Sequence, residues 1–329
     1  MKKIGLYLIL FLFILCTACS NGSTEKNTSA NASNKEEDQS DAADNEYSLE
    51  NDGIDEEAFS EDISQFPDTV PEHIVTTSVP ITEMLYLLDI TPSGVPTSTN
   101  PIPEAFNDIE QLGSPMEPDL EVLTDLEPDL IIGAKSLEES LEDSLGGIDL
   151  DRAYLKTDSF EDLKQTFKVL GTYFDKTEEM NTVLTDILEM ENDLMKQASG
   201  KELPSVLLMI GTSESFMVMS EDSYLGSLVE RLGAENIATT ILDAKDTYSP
   251  MNMEEIVAAD PDIVLVLASG DHGASEDMYE EELKKNDIWK SLSAYQNDDI
   301  HILDYDIFGV TSILNVEQAM TEIADYFFE

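Results

Sequence analysis

The sequence predicts an α/β chain of two Rossmann-like lobes with mainly parallel sheets, joined by one long helix. Three observations carry that expectation. From residue 67 onward, short β-rich runs alternate with helical patterns, which is the signature of βαβ units. A helix-Pro-Asp-strand motif occurs twice, half of the folded region apart. A single unbroken helical pattern separates the two halves.

The chain begins with two lysines, Lys2 and Lys3, followed by an apolar run from Ile4 to Leu15. That run is shorter than the roughly 20 residues that span a bilayer. Residues 1–19 are therefore expected to be a secretory signal and lie outside the fold. Thr17 and Ala18 precede Cys19 in the pattern of a bacterial lipobox, which makes Cys19 the expected lipid anchor and new N-terminus. Position 16 is Cys where that pattern usually has Leu. Ordinary cleavage nearby, with Cys19 incidental, is the alternative. Both cysteines of the chain lie here, so the exported part has no disulfide of its own.

Residues 20–66 are rich in Asn, Ser, Asp and Glu and have almost no apolar periodicity. They are expected to form a disordered tether, kept extended by like charges. Residues 67–175 supply the N-terminal lobe, with HIVTTS, DLIIGA and RAYLK as strands and ITEMLYLLDI and FEDLKQTFKVLGTYF as helices. Residues 176–203 form the inter-lobe segment. Met180, Val183, Leu184, Ile187 and Leu188 recur at helical spacing, and Gly200 and Pro204 punctuate its end. A helix from Lys176 to about Ser199 would run roughly 36 Å and permit only small hinge movements. Residues 204–329 resume the alternation with SVLLMIG, SFMVMS, SYLGSLVERLG, DIVLVLAS, DDIHILD and a closing helix near VEQAMTEIADYF.

The repeat is PDLEVLTDLEPDLIIG (Pro118 to Gly133) against MNMEEIVAADPDIVLV (Met251 to Val266). Each copy has a Glu, Glu121 or Glu254, seven residues before a Pro-Asp pair. Each Pro suits the place where a short helix stops and a strand starts.

The formal charge is -53, from 17 basic and 70 acidic residues, which excludes nucleic acid as a partner. Otherwise so large a charge speaks for solubility. The only arginines are Arg152, within reach of a cleft loop, and Arg231, expected on a helix surface. That scarcity counts against an anionic siderophore as ligand. No nucleophile elbow, Gly-rich phosphate loop or His-rich metal motif is present, so no enzyme is expected. An exported α/β enzyme using paired carboxylates is the remote alternative.

Met116 lies between Pro115 and Glu117-Pro118, in a loop before a helix. Such loops at strand ends are where open α/β sheets bind ligands, although Met is more often a packing residue. Of the three histidines, His73 opens a strand, His301 sits inside one, and His272 lies in the Gly-containing stretch SGDHG after an apolar run.

The segments TTSVPITEMLYLLDI, GVPTS, GSPMEPDLEVL, SYLGSLVERLGAENI, NDIWK and FGVT together resemble the helical-backbone class of ABC-transporter binding proteins. That class carries siderophores, cobalamin and haem. Within it, the chain is similar to the IsdE-like haem receptor lipoproteins of Gram-positive bacteria. The resemblance implies the helical-backbone periplasmic-binding-protein fold and haem as transported ligand, with iron held by a Met and a His from opposite lobes. The Met falls on Met116 in Gly113-Ser114-Pro115-Met116-Glu117-Pro118-Asp119. The His falls on His272, about three residues beyond the ungapped position, which is Ser269; Tyr224 and Tyr305 are the alternatives. It further implies that Glu121 and Glu254 dock the permease of an ABC transporter driven by its ATPase. The protein would sit on the outer face of the cytoplasmic membrane, with surface haem-relay proteins as further partners. A ferric siderophore or cobalamin is the alternative ligand.

Overall fold

The computed structural model describes residues 55–211, 215–268 and 287–328. In the first lobe, five strands follow the order β3-β2-β1-β4-β5, and every pairing is parallel. They are β1 (Ile74–Thr76), β2 (Gly94–Val95), β3 (Glu110–Gln111), β4 (Leu130–Ala134) and β5 (Asp151–Leu155). The chain moves outward from β1 to β3 and then returns to the other side of β1 as β4. This reversal opens a crevice at the strands' C-terminal ends. In the second lobe the order is β11-β10-β6-β7-β9, with β8 (Glu235–Asn236) paired beside β6. Here β6 is Ser205–Gly211, β7 Phe216–Met219, β9 Tyr248–Pro250, β10 Ile263–Ala268 and β11 Ile300–Leu303.

This second sheet is parallel except at β7, which runs antiparallel to both β6 and β9. The reason is covalent. Only four residues separate β6 from β7, and a parallel neighbour requires a crossover of a dozen or more.

The structure explains the helix-Pro-Asp-strand repeat. Helices α3 (Leu120–Asp125) and α9 (Met253–Ala259) are followed by a residue with positive φ, Glu127 at 44° and Asp260 at 46°. That residue lies just before the Pro, where the right-handed helical region is disfavoured. The Asp then bonds back to the start of the neighbouring core strand. Asp129 Oδ2 accepts from the His73 amide at 3.0 Å and the Glu72 amide at 3.2 Å. Asp262 Oδ2 accepts from the Ser205 amide at 2.9 Å and the Ser205 hydroxyl at 2.7 Å. Each Asp thus fixes the register of one central strand pair, β1–β4 or β6–β10.

The expected long helix is α6 (Thr177–Ala198), 22 residues or roughly 33 Å. Its buried face, Met180, Leu184, Ile187 and Leu194, belongs to one apolar cluster that also holds Leu130 and Phe167 of the first lobe and Leu208 and Ile323 of the second. Glu191 on the same face is 1% exposed and accepts from Arg231 Nε at 2.5 Å, with Lys164 Nζ 3.5 Å away. Lys164 lies on α5 (Phe160–Tyr173) and Arg231 on α7 (Tyr224–Arg231), so one carboxylate ties both lobes to α6. Arg231 is therefore not a free surface residue as expected. Its helix faces α6, where a buried carboxylate recruits the cation.

A second difference concerns the acidic stretch read as tether to residue 66. Its last residues form α1 (Glu56–Ile63), capped by Asp55, whose Oδ1 accepts from the Glu57 and Ala58 amides. Phe59, Ile63 and Phe66 pack against the main core, and Phe66 lies 4.3 Å from the Tyr173 ring, centroid to centroid. Three apolar residues at near-helical spacing suffice to dock an otherwise acidic helix. Among the described residues no helix is long and apolar enough to cross a membrane.

Removing either repeat carboxylate should loosen its strand pair. Asp129→Ala and Asp262→Ala are each expected to cost about 1–2 kcal/mol, the scale of a charge-assisted hydrogen bond to backbone. In thermal unfolding that corresponds to roughly 2–6 °C per substitution. An unchanged midpoint for both would show that the carboxylates are not structural.

Candidate functional site

A cleft of about 950 Å³ lies between the lobes. That is the upper end of the roughly 300–1,000 Å³ typical of small-molecule sites. The first lobe lines it with residues that follow each of its five strands: Thr77 and Ser78 after β1, Ser98 after β2, Pro115 after β3, Ser136 after β4, and Lys156 to Ser159 after β5. The second lobe contributes Glu221 and Asp222 after β7, Ser227 and Glu230 on α7, Thr247 and Tyr248 at β9, and Val310 and Thr311.

Local structure holds these groups in place. Ser78 caps α2 (Val79–Leu87), with Pro80 at its start, so the N-terminus of this helix opens on the cleft. Ser159 and Asp162 form a reciprocal capping box on α5. The first amide of that helix, on Phe160, donates to Ser227 Oγ of the second lobe at 2.9 Å.

The cleft is electrostatically one-sided. Among the described residues that line it, Lys156 is the one cation, set against six carboxylates: Asp158, Glu161, Asp162, Glu221, Asp222 and Glu230. Burial raises the Glu230 carboxyl above its ordinary range, and repulsion from Glu221, Glu161 and Asp222 adds to it. Burial likewise raises Asp158. Burial and the facing Asp158 raise the Tyr248 phenol.

Met116 stands on the rim, beside the lining residue Pro115, and is 53% exposed. Its loop is closed by a bridge between Gly113, at φ 86°, and Pro118. The Ser114 hydroxyl accepts from the Met116 amide at 3.3 Å, and the Asp119 amide donates to the Leu112 carbonyl at 2.6 Å. Met116 is thus a displayed thioether on a fixed loop, not a core-packing residue. His272 and Cys19 lie outside the described residues.

Glu121 and Glu254 occupy equivalent places. Each is exposed, second in its helix, and donates its amide to the capping side chain, Asp119 at 2.9 Å or Asn252 at 3.1 Å. His73 immediately precedes β1, away from the cleft-lining ends, and the His301 ring stacks on Tyr326 with centroids 4.2 Å apart. Tyr224, an alternative ligand from the sequence, is buried and donates its hydroxyl to the Ser312 carbonyl at 2.9 Å. Burial pushes its phenol well above the ordinary range, so it stays a protonated core residue. Tyr305 packs against Gly309 and does not line the cleft. Arg152 pairs with Glu142 at 2.5 Å and the Ile148 carbonyl at 2.7 Å, also outside the cleft.

Sequence reasoning missed Lys156 and Tyr248. Lys156 ends the run RAYLK, and a cation just past the C-terminal end of a parallel strand is positioned for a ligand. Tyr248 carries no such signal, because its strand depends on the reversed β7.

A family model described as "Periplasmic binding protein" matches residues 74–306, from the first residue of β1 into the segment before the closing helix. The high-affinity heme uptake system protein IsdE of Staphylococcus aureus (strain MRSA252) is 31% identical over 264 residues, covering 78% of this chain and 87% of that protein. An ABC transporter substrate-binding protein from Listeria monocytogenes EGD-e has a TM-score of 0.72 at 35% identity, covering 79% of this chain and 99% of the other. S. aureus IsdE complexed with heme has a TM-score of 0.71 at 28% identity, covering 78% and 99%. S. aureus SirA complexed with staphyloferrin B shares the fold, with a TM-score of 0.66 at 21% identity over 79% and 94%. Two α/β lobes on one long helix, a cleft between them and a match over most of the folded region identify the chain as a member of the periplasmic binding protein family, a non-enzymatic substrate-binding protein of an ABC importer of the haem and siderophore class.

Proposed function

We propose that this protein captures haem in the inter-lobe cleft and delivers it to an ABC permease for iron acquisition, working from the outer face of the cytoplasmic membrane to which Cys19 anchors it. The observation that carries this reading is Met116. A thioether 53% exposed on a rigid, proline-flanked loop at the cleft rim has no packing role, and it suits iron in a porphyrin. The similarity to a heme uptake protein at 31% identity supports the same ligand. His272, in the segment that follows β10, is the proposed second axial ligand. Lobes that each supply one ligand couple binding to closure. The propionates would turn to the first lobe, where Ser78, Ser98, Ser136 and Lys156 offer donors, and away from Glu221 and Glu230.

Haemin added to the purified protein is expected to give a saturable change in the visible spectrum. Met116→Ala should alter that spectrum while binding persists. His272→Ala should weaken binding by roughly tenfold or more, since each tenfold is about 1.4 kcal/mol. His73→Ala and His301→Ala should change neither. A spectrum altered by His301→Ala and not by His272→Ala would move the ligand to another residue. No binding of haemin at all would leave a siderophore or cobalamin as cargo.

Glu121 and Glu254 are the proposed docking points for the permease, one from each lobe. Reversing both to Lys should abolish uptake in cells and leave haemin binding intact, because charges on a rim set register and association rate. Normal transport by the double variant would reject the assignment.

Lipidation at Cys19 predicts incorporation of a radiolabelled fatty-acid precursor and retention in the membrane fraction. Both should be lost in Cys19→Ala. Unlabelled wild-type protein released to the medium would overturn the anchor.

A further inference from the structure

A buried carboxylate on the first lobe reaches across to the second lobe at the floor of the cleft. Glu83 lies on α2, one turn beyond Ser78, Val79 and Pro80, which line the cleft. It is 4% exposed. Its Oε1 lies 3.0 Å and its Oε2 2.8 Å from the Ser312 hydroxyl, which donates to it, and Oε2 also accepts from the Ile313 amide at 3.1 Å. Ser312 is 1% exposed and immediately follows Val310 and Thr311, which line the same cleft from the second lobe. The Asn315 amide donates to the Ser312 hydroxyl oxygen at 3.0 Å, and the Tyr224 hydroxyl donates to the Ser312 carbonyl at 2.9 Å. The second-lobe loop is thereby gathered around one first-lobe side chain.

We infer that Glu83 is a positioning residue for ligand binding: its carboxyl group holds the 309–315 loop against α2, and its protonation sets how firmly the cleft floor is closed. The inference holds for whichever ligand the cleft takes.

The surroundings make that protonation responsive. Among the described residues, the groups facing Glu83 are acidic or neutral. Tyr224 comes from α7. Asp304 and Asp306 come from the start of the short helix Tyr305–Phe308 and share with Glu83 a side cavity of about 380 Å³. The other described residues that line that cavity, among them Asn100, Asn315 and Gln318, carry no charge. Elsewhere on α2 no residue is charged. Desolvation therefore dominates and pushes the Glu83 carboxyl from 4.5 up to about 7, against the opposing pull of its bonds from Ser312 and the loop amides. The sign follows from linkage. A carboxyl whose pKa is raised in the docked state contributes stability that is fully present below its ordinary value. That contribution declines as pH rises and is lost once pH passes about 7. Opening the loop to water returns Glu83 to its ordinary range, so rising pH favours the open floor. The full swing is up to roughly two orders of magnitude in the opening equilibrium.

The test is residue-resolved hydrogen exchange at the Ile313 amide, whose acceptor is Glu83 itself, in the ligand-free mature chain between pH 5 and 8. After correction for intrinsic exchange, opening in the wild type should grow with pH by roughly ten- to a hundredfold. Glu83→Gln keeps the shape and cannot ionise, so its corrected profile should be flat. A flat wild-type profile, or the same slope in Glu83→Gln, would overturn the inference. Should Glu83→Gln not fold, the carboxyl carbon of Glu83 titrated by NMR in the wild type decides. A midpoint near 7 that tracks the Ile313 profile supports the clamp, and a midpoint in the ordinary carboxylate range overturns it.

Discussion

Leu184, Ile187 and Leu194 on α6 are buried in the same apolar cluster as Leu130 of the first lobe and Leu208 of the second. Each lobe also has an apolar cluster of its own, around Ile131 in the first and Trp289 in the second, but this one is common to both. Separating the lobes would expose that shared face to water at roughly 25 cal/mol for each Å² uncovered. Glu191 adds direction to this non-directional constraint, since a buried carboxylate must keep Arg231 and Lys164 within reach. The rest of the molecule follows from this fixed back. The cleft can change shape only at its front and floor, where contacts between the lobes are few and polar.

Those polar contacts divide the cleft by chemistry. Phe160 and Ser227 meet through one neutral hydrogen bond, and the front carries carboxylates from both lobes. Glu161 and Glu230 belong to opposite lobes, and Glu161 is among the like charges that raise the Glu230 carboxyl. A ligand that supplies cationic or metal-centred charge relieves this repulsion. Acidic groups on a ligand find hydroxyl donors on both walls, and Lys156 on the first.

Much of the fold was legible because it is written locally. The Pro-Asp repeat announced two lobes of similar build, and the structure gives its physical content: a left-handed residue, a strand start, and a carboxylate that clasps the neighbouring strand. The long helix was legible from the spacing of Met180, Leu184 and Ile187. What escaped reading depends on tertiary placement. Arg231 looks like a surface residue in its own helix, and only the approach of α6 brings Glu191 to it. The helix Glu56–Ile63 is too acidic to be called from composition, and three apolar side chains against α5 decide it. In the candidate site, the loop around Met116 was legible from its prolines, while Lys156 and Tyr248 needed the sheets to be assembled before they could face a common space.

Three of the four outermost strands are short: β3 has two residues, β9 three and β11 four, against five in β5. Glu110 on β3 and Asp151 on β5 place charges on the two edges of the first sheet. Strands this brief offer few free backbone groups for another chain to pair with. That matters most where many copies crowd together on a surface and meet edge to edge. There, a domain whose rims cannot template β-addition stays a collection of separate receptors rather than seeding an aggregate.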